Sequence, residues 1–523
     1  MPPKKSIDQR AKEIDAKWNI PRLAEAQYAS SYRAIIDFSQ AVSSAGFLTL
    51  SLLFSSCCWA FTLFFLVNLG VPLAYVYVAG AGVLLFLALL FGVDVYSVWL
   101  PFSRLKQRES HGSARRATVQ DLVGRGLAIL KGSVPELDVI IIGLVGAFHY
   151  LVNTIEQFSG HSIYVGPPKS GKSASFFIPQ IRQFLQFGST LALAIKGEIF
   201  TYTALYARRT FRIDFNNPEK SDRLPLLAAC RNNATLAGEL CALFVSLEPP
   251  SRSNGSVNDK FFAPAAVSLG KSLILHLANT IKYPTPAHIV EFIGKHPRNV
   301  EVEGPGGRPV KIDMLDVVLS QSPSEDVRRN WSIFQRYDAK LQGGIIATLI
   351  TALDQFTLPS VQVVFSAPTE LDKQRGVKVV DFLKLREKGT AIYVCIDEGK
   401  DKELANVIAA VFGFANNILK RTATAHALSC PCYMALDEAS NIYLNFVRGG
   451  IGVGRALGIF YGLGVQGYEF LEDLYGASTA GAIWAGTNNK YFLPGTTGKA
   501  AKLASELAGT TTGLSRTSVD ANS

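Results

Sequence analysis

Eight consecutive residues, Gly166-Pro167-Pro168-Lys169-Ser170-Gly171-Lys172-Ser173, constrain the fold more than any other feature of the chain. They match G-x-x-x-x-G-K-[ST] in full, a pattern that works only where a strand ends in a glycine-rich loop that opens a helix. The flanks supply both: His161–Val165 reads as a strand and Ala174–Phe187 as a helix. In that setting backbone N–H groups wrap phosphate oxygens, Lys172 reaches the β and γ oxygens, and Ser173 ligands Mg²⁺. All eight residues are candidate nucleotide-binding residues, and the core is predicted to be α/β.

Such a loop also needs a carboxylate at the end of a second buried strand. The run Pro431–Leu436 is short and apolar, as a central parallel strand should be, and ends in Asp437-Glu438. Asp437 is the candidate Mg²⁺ ligand through water, and Glu438 the candidate base that polarises the attacking water. Next come the glycine-rich segment Gly449–Gly458, which contains Arg455, the apolar run Ile459–Val465, and Gln466. Leu457 stands where a dinucleotide fingerprint needs its third glycine, so the segment reads as a flexible loop before a third strand. Gln466 then lies at the ligand edge of the sheet, as a γ-phosphate sensor or as a hydrogen-bonded strand end. Arg455 is expected at that edge too, as a transition-state arginine crossing a subunit boundary or as a solvated loop residue.

A second feature concerns the membrane. From Phe38 to Ser103 the one charged residue is Asp94. A spanning helix needs about 20 apolar residues, so two fit, near 46–67 and 73–93, with a break at Asn68–Pro72. The hairpin loop has no Lys or Arg. Lys12, Lys17, Arg22 and Arg33 precede the spans, and Arg104, Lys106, Arg108, Arg115 and Arg116 follow them. Positive charge stays inside, which places both ends and everything after the hairpin in the cytoplasm. The mixed-charge residues before the first span argue against a cleaved signal peptide. Val139–Val152 is too short to span and reads as buried strands. Composition agrees: 18% charged residues and a mean hydropathy of +0.20 exclude disorder or a coiled coil. The seven cysteines are too sparse for a disulfide framework, and Cys430-Pro431-Cys432 lacks zinc-site spacing.

Taken in order, these motifs resemble the type IV secretion coupling ATPases, the conjugative DNA-transfer coupling proteins. The resemblance covers the two-span hairpin, Gly166–Ser173, Lys196-Gly197-Glu198-Ile199-Phe200, Leu436-Asp437-Glu438, the Arg455 segment, and Gln466 ahead of Leu474-Tyr475-Gly476. It implies a RecA-like P-loop NTPase core with an inserted all-α domain, ATP with Mg²⁺, and a homohexamer in the bacterial inner membrane. It also implies single-stranded DNA, or a relaxase nucleoprotein, as substrate and the secretion channel proteins as partners. The interval from Arg455 to Gln466 is similar to the family's arginine-finger and sensor pair. The chain departs from the family at Ala194, where an Asp is usual, and at Lys169, where a small or polar residue is usual. Beyond Gly509–Gly513 the family usually adds a last strand and often a substrate-receiving tail, so the resemblance implies either that the tail is missing here or that a partner replaces it.

The domains expected are a cytoplasmic segment (1–44), the hairpin (45–103), a first nucleotide-binding part (104–227), an all-α insertion (228–356) and a second nucleotide-binding part (357–523). Within the insertion, Leu236–Leu247, Phe262–Ile281 and Val327–Gln355 are the longest apolar-periodic pieces, and Arg328, Arg329, Arg336 and Lys340 are candidate phosphate contacts. The function expected is a membrane-anchored hexameric ATPase that pumps single-stranded DNA into a secretion channel. The alternatives are the same motor working on protein effectors, or a non-hydrolysing nucleotide-binding scaffold. The net charge of +10 suits DNA. Neither the Asn-Lys-x-Asp of a GTPase nor an ABC transporter signature is present.

Overall fold

The computed structural model describes residues 122, 128–130, 139–145, 149–245, 257–298, 300–303, 309–423 and 430–509. The two-span hairpin expected at 46–67 and 73–93 lies outside them. The chain divides into two compact units, the larger of which includes residues 152–502. In the smaller unit, Ala128 pairs antiparallel opposite Leu151 and Leu130 opposite His149. The apolar stretch read as buried strands does form strands, Val139–Val145 and His149–Thr154, but Leu144 is 52% exposed.

The larger unit is built on seven strands: β1 Ser162–Val165, β2 Ser189–Ile195, β3 Arg209–Asp214, β4 Thr390–Ile396, β5 Cys432–Leu436, β6 Ile459–Val465 and β7 Asn489–Phe492. Their spatial order is β7-β1-β6-β5-β2-β4-β3, and every pairing is parallel. Near-continuous apolar runs such as Cys432–Leu436 suit strands covered on both faces, and each of its residues is buried. Parallel pairing fixes the consequence for the site. Leu436 stands opposite Leu463 and Leu193, and Val165 opposite Val465, so the carboxyl ends of β1, β2, β5 and β6 share one edge.

Helices cover both faces. Along the chain those of six residues or more are α1 Ile178–Phe184, α2 Glu198–Thr203, α3 Ala234–Val245, α4 Val257–Thr280, α5 Pro286–Lys295, α6 Met314–Leu319, α7 Glu325–Phe334, α8 Ala339–Leu353 and α9 Pro359–Phe365. They continue with α10 Ala405–Arg421, α11 Val447–Val453, α12 Tyr468–Tyr475, α13 Ala477–Gly486 and α14 Gly498–Ala508. One sheet face packs Tyr164, Ala192, Tyr393, Tyr433 and Phe460 against Phe177, Ile181, Phe184 and Phe200. On the other, Tyr461 Oη donates to Asn416 Oδ1 of α10 at 2.7 Å.

The excursion between β3 and β4, expected to be all-α, is helices α3 to α8 together with an antiparallel hairpin, Val300–Glu303 paired with Pro309–Ile312, whose alternating Val-Glu-Val-Glu run suits a strand with one exposed face. Phe261–Thr280 within α4 is long and apolar enough to cross a membrane, yet Leu269, Leu273, Ile274, Leu277 and Ala278 are buried inside the protein. The periodic piece Val327–Gln355 is not one helix. It breaks between α7 and α8, where Asp338 accepts from the N–H of Leu341 and caps α8. After α9 the chain returns to the sheet: Leu224 N–H donates to Val364 O at 2.7 Å, and Arg223 and Asp372 form a buried ion pair at 2.8 Å.

Candidate active site

β1 delivers the loop. Gly166 N–H donates to Val465 O at 3.1 Å, and a Cβ there would lie 2.6 Å from Ser170 Oγ and 2.9 Å from Leu493 Cβ. The crest turns through left-handed backbone at Lys169 (φ 62°) and Gly171 (φ 90°). The second glycine makes that turn at little steric cost. The predicted helix begins with a π-wound turn, Ser173–Phe177, and continues as α1. Lys172 Nζ donates to Gly166 O at 2.8 Å and Pro167 O at 3.1 Å, bending over its own loop. Burial pulls its ammonium below the ordinary lysine range, and the charges of Asp437 and Glu438 oppose that shift.

β5 ends beside this loop. Ser173 Oγ donates to Asp437 Oδ2, while Asp437 Oδ1 is buried without a hydrogen-bond partner among the described residues. A buried carboxylate oxygen with nothing to accept from is costly. Burial pushes the Asp437 carboxyl up, against the pull of Ser173 and Lys172. A hard divalent cation would satisfy that oxygen, and a hydroxyl plus a carboxylate is the donor set such a cation takes. Glu438 follows in left-handed backbone (φ 62°). Burial first, and the charge of Asp437 second, raise its carboxyl. Its Oε2 accepts from Asn441 Nδ2 at 2.7 Å.

Two further strand ends complete the edge. After β2, Lys196 and Gly197 both have positive φ, and Lys196 Nζ lies 2.8 Å from Glu398 Oε1. Ala194 is buried opposite Cys395 of β4. After β6, Gln466 N–H donates to Ser440 Oγ at 3.4 Å. The structure therefore brings together Gly166–Ser173, Asp437, Glu438 and Gln466.

Arg455 is a correction. It precedes β6, so it lies at the amino edge of the sheet, not at the ligand edge, and pairs with exposed Glu156 at 3.2 Å ahead of β1. The length of β6, roughly 20 Å at 3.3 Å per residue, separates it from Gln466. Two of the four candidate phosphate contacts in the excursion are engaged locally: Arg328 Nη1 donates to Ser322 O at 2.5 Å, and Arg329 pairs with Asp326. Sequence reasoning missed Gly464, where a Cβ would lie 2.9 Å from Asp437 Oδ1. It also missed Asn441, whose one legible signal was its spacing of three from Glu438.

A family model described as type IV secretory system conjugative DNA transfer matches residues 135–522. No curated protein sequence matches the chain. Among solved structures, the fold is similar to the bacterial conjugative coupling protein TrwBdeltaN70 in its trigonal form with sulphate, at 14% identity and a TM-score of 0.51, covering 73% of this chain and 78% of that one. It is also similar to the plasmid coupling protein TrwB with the non-hydrolysable ATP analogue ADPNP (14%, TM-score 0.51, 72% and 78%). A third match is TrwB with ADP and Mg²⁺ (13%, TM-score 0.52, 76% and 83%).

Proposed function

The chain belongs to the type IV secretory system conjugative DNA transfer family, and from that premise we propose that it is a membrane-anchored, homohexameric ATPase that pumps single-stranded DNA or a relaxase nucleoprotein into a secretion channel. Residues 46–67 and 73–93 are the proposed anchor, with the catalytic part in the cytoplasm. Solved structures of TrwB hold ADPNP, or ADP with Mg²⁺, and the residues here suit the same kind of ligand. The observation that carries the reading is Asp437: one oxygen takes the Ser173 hydroxyl, and the other is buried without a hydrogen-bond partner among the described residues, beside the phosphate-loop lysine.

In this reading the N–H groups of Lys169, Gly171, Lys172 and Ser173, together with the Lys172 ammonium, hold the β and γ phosphates. Ser173 and, through water, Asp437 would hold Mg²⁺, which when bound neutralises charge on the phosphate oxygens. Glu438 takes the proton of the attacking water, its carboxyl already raised toward a useful basicity by burial and by Asp437. Gln466 orients that water, and Arg455 acts on a neighbouring subunit's site.

Two variants test the assignment. Lys172→Ala removes the one side-chain cation that the loop motif places on the phosphates, and hydrolysis should fall about 100-fold or more. Glu438→Gln keeps Asp437 and Ser173, so nucleotide should still bind while hydrolysis stops. Parental hydrolysis by Glu438→Gln would remove Glu438 as the base.

A further inference from the structure

The turn that follows β5 carries Asn441, a residue outside both the phosphate loop and the Asp437-Glu438 pair. Asn441 folds back on Glu438 twice. Its backbone N–H donates to Glu438 O at 3.0 Å, and its side-chain Nδ2 donates to Glu438 Oε2 at 2.7 Å. The same Nδ2 donates to Asp401 Oδ2 at 3.3 Å. A primary amide has two N–H bonds on that nitrogen, so one serves each carboxylate and the amide plane is fixed from both sides. Asp401 belongs to the segment between β4 and α10, whose Glu398 pairs with Lys196 beyond β2. One residue earlier in the turn, Ser440 Oγ receives the Gln466 N–H from the end of β6.

We infer that Asn441 is a positioning residue for Glu438, itself held in orientation by Asp401. The inference rests on the general-base reading of Glu438. A glutamate has three side-chain torsions, and a base must sit within hydrogen-bond reach of the water it deprotonates. With Oε2 anchored by Asn441, the carboxylate is held at one oxygen, and Oε1, which takes no hydrogen bond from another described side chain, is the oxygen offered to water. A donor on one oxygen therefore selects the face on which the other acts. The amide is neutral, so it orients the carboxylate without the competing attraction a lysine or arginine would exert on the phosphates.

The test is steady-state ATP hydrolysis by the full chain, with and without single-stranded DNA, alongside direct ATP-binding measurements. Asn441→Ala should lower kcat about 10- to 100-fold, the worth of a hydrogen bond to a charged group, with KM and ATP affinity within about twofold of parental. Asp401→Ala should lower kcat in the same sense. Asp401→Asn should recover most of it, because its Oδ1 still accepts from Asn441. In a Glu438→Gln background, the slow residual hydrolysis followed in a single turnover over hours should not fall further on Asn441→Ala, since Asn441 acts through Glu438. A parental kcat for Asn441→Ala, a loss that adds to that of Glu438→Gln, or a parallel rise in KM and loss of ATP affinity would overturn the inference. So would equal activity of Asp401→Ala and Asp401→Asn, a comparison that stands even if Asn441→Ala does not fold. The two failures separate cleanly: active Glu438→Gln sinks the base, whereas inactive Glu438→Gln with active Asn441→Ala sinks only the positioning role.

Discussion

Gly464 shows how little room the site leaves at a single residue. A Cβ there would stand 2.9 Å from Asp437 Oδ1, 3.1 Å from Glu438 N and 3.1 Å from the Phe177 ring, and none of these groups can easily retreat. Gly464→Ala should therefore cost about 1–3 kcal/mol in stability through overpacking and cut hydrolysis by about tenfold or more. Gly452→Ala is the matched control, because a Cβ on that helical glycine meets nothing within 4 Å. It should leave hydrolysis unchanged, and comparing the two rates at one nucleotide concentration checks both. The sequence showed Gly464 only as one small residue in an apolar run. Its role depends on β6 lying beside β5, a long-range pairing that no local spacing encodes. The phosphate loop was legible for the opposite reason: all its chemistry lies in consecutive residues. Asn441 falls between, close in sequence to Glu438 but one of many asparagines that cap turns.

At the scale of elements, strand direction decides what Arg455 can do. In a wholly parallel sheet, a residue before β6 and a residue after β1 lie at opposite edges, so Arg455 cannot reach phosphates held by its own loop. Its segment is docked from within the same subunit. His161 Nδ1 accepts the N–H of Tyr461, which leaves Nε2–H to donate to Ile451 O at 3.1 Å, and burial lowers the ring's pKa to about 4. The Arg455–Glu156 pair is exposed, a kind worth about 0–1 kcal/mol, so releasing the guanidinium costs little. Arg455→Ala should bind ATP normally but hydrolyse it about 10³-fold more slowly, by analogy with other arginine fingers. Mixed with Lys172→Ala in the proposed ring, it should regain part of the lost activity, because some interfaces then pair an intact loop with an intact arginine. Rings shown to be mixed that stay inactive would make Arg455 a same-subunit or structural residue. The expectation that Arg455 shares the ligand edge came from its nearness in sequence to Gln466, which ignores that a seven-residue strand carries the chain across the whole sheet. The break between α7 and α8 escaped for a similar reason: apolar periodicity runs through both helices, and only the capping Asp338 marks the end of one register.

For the whole molecule, the parts read from local pattern and the parts read from order of motifs behave differently. The strands at Cys432–Leu436 and Ile459–Val465 are where their apolar runs placed them, because a strand buried on both faces has few other compositions open to it. The strand order was not legible, since β1, first in sequence, sits between β7 and β6, and chain order says nothing of such crossovers. A net charge of +10 gives the chain a reason to hold a polyanion, and the conjugative DNA transfer family gives the polyanion its class. The central claim is that the Lys172–Asp437–Glu438 edge drives DNA movement. It is tested most directly by measuring ATP hydrolysis of the full chain with and without single-stranded DNA. The account predicts hydrolysis that rises when single-stranded DNA is added; no hydrolysis in either condition, or a rate indifferent to DNA, would contradict it.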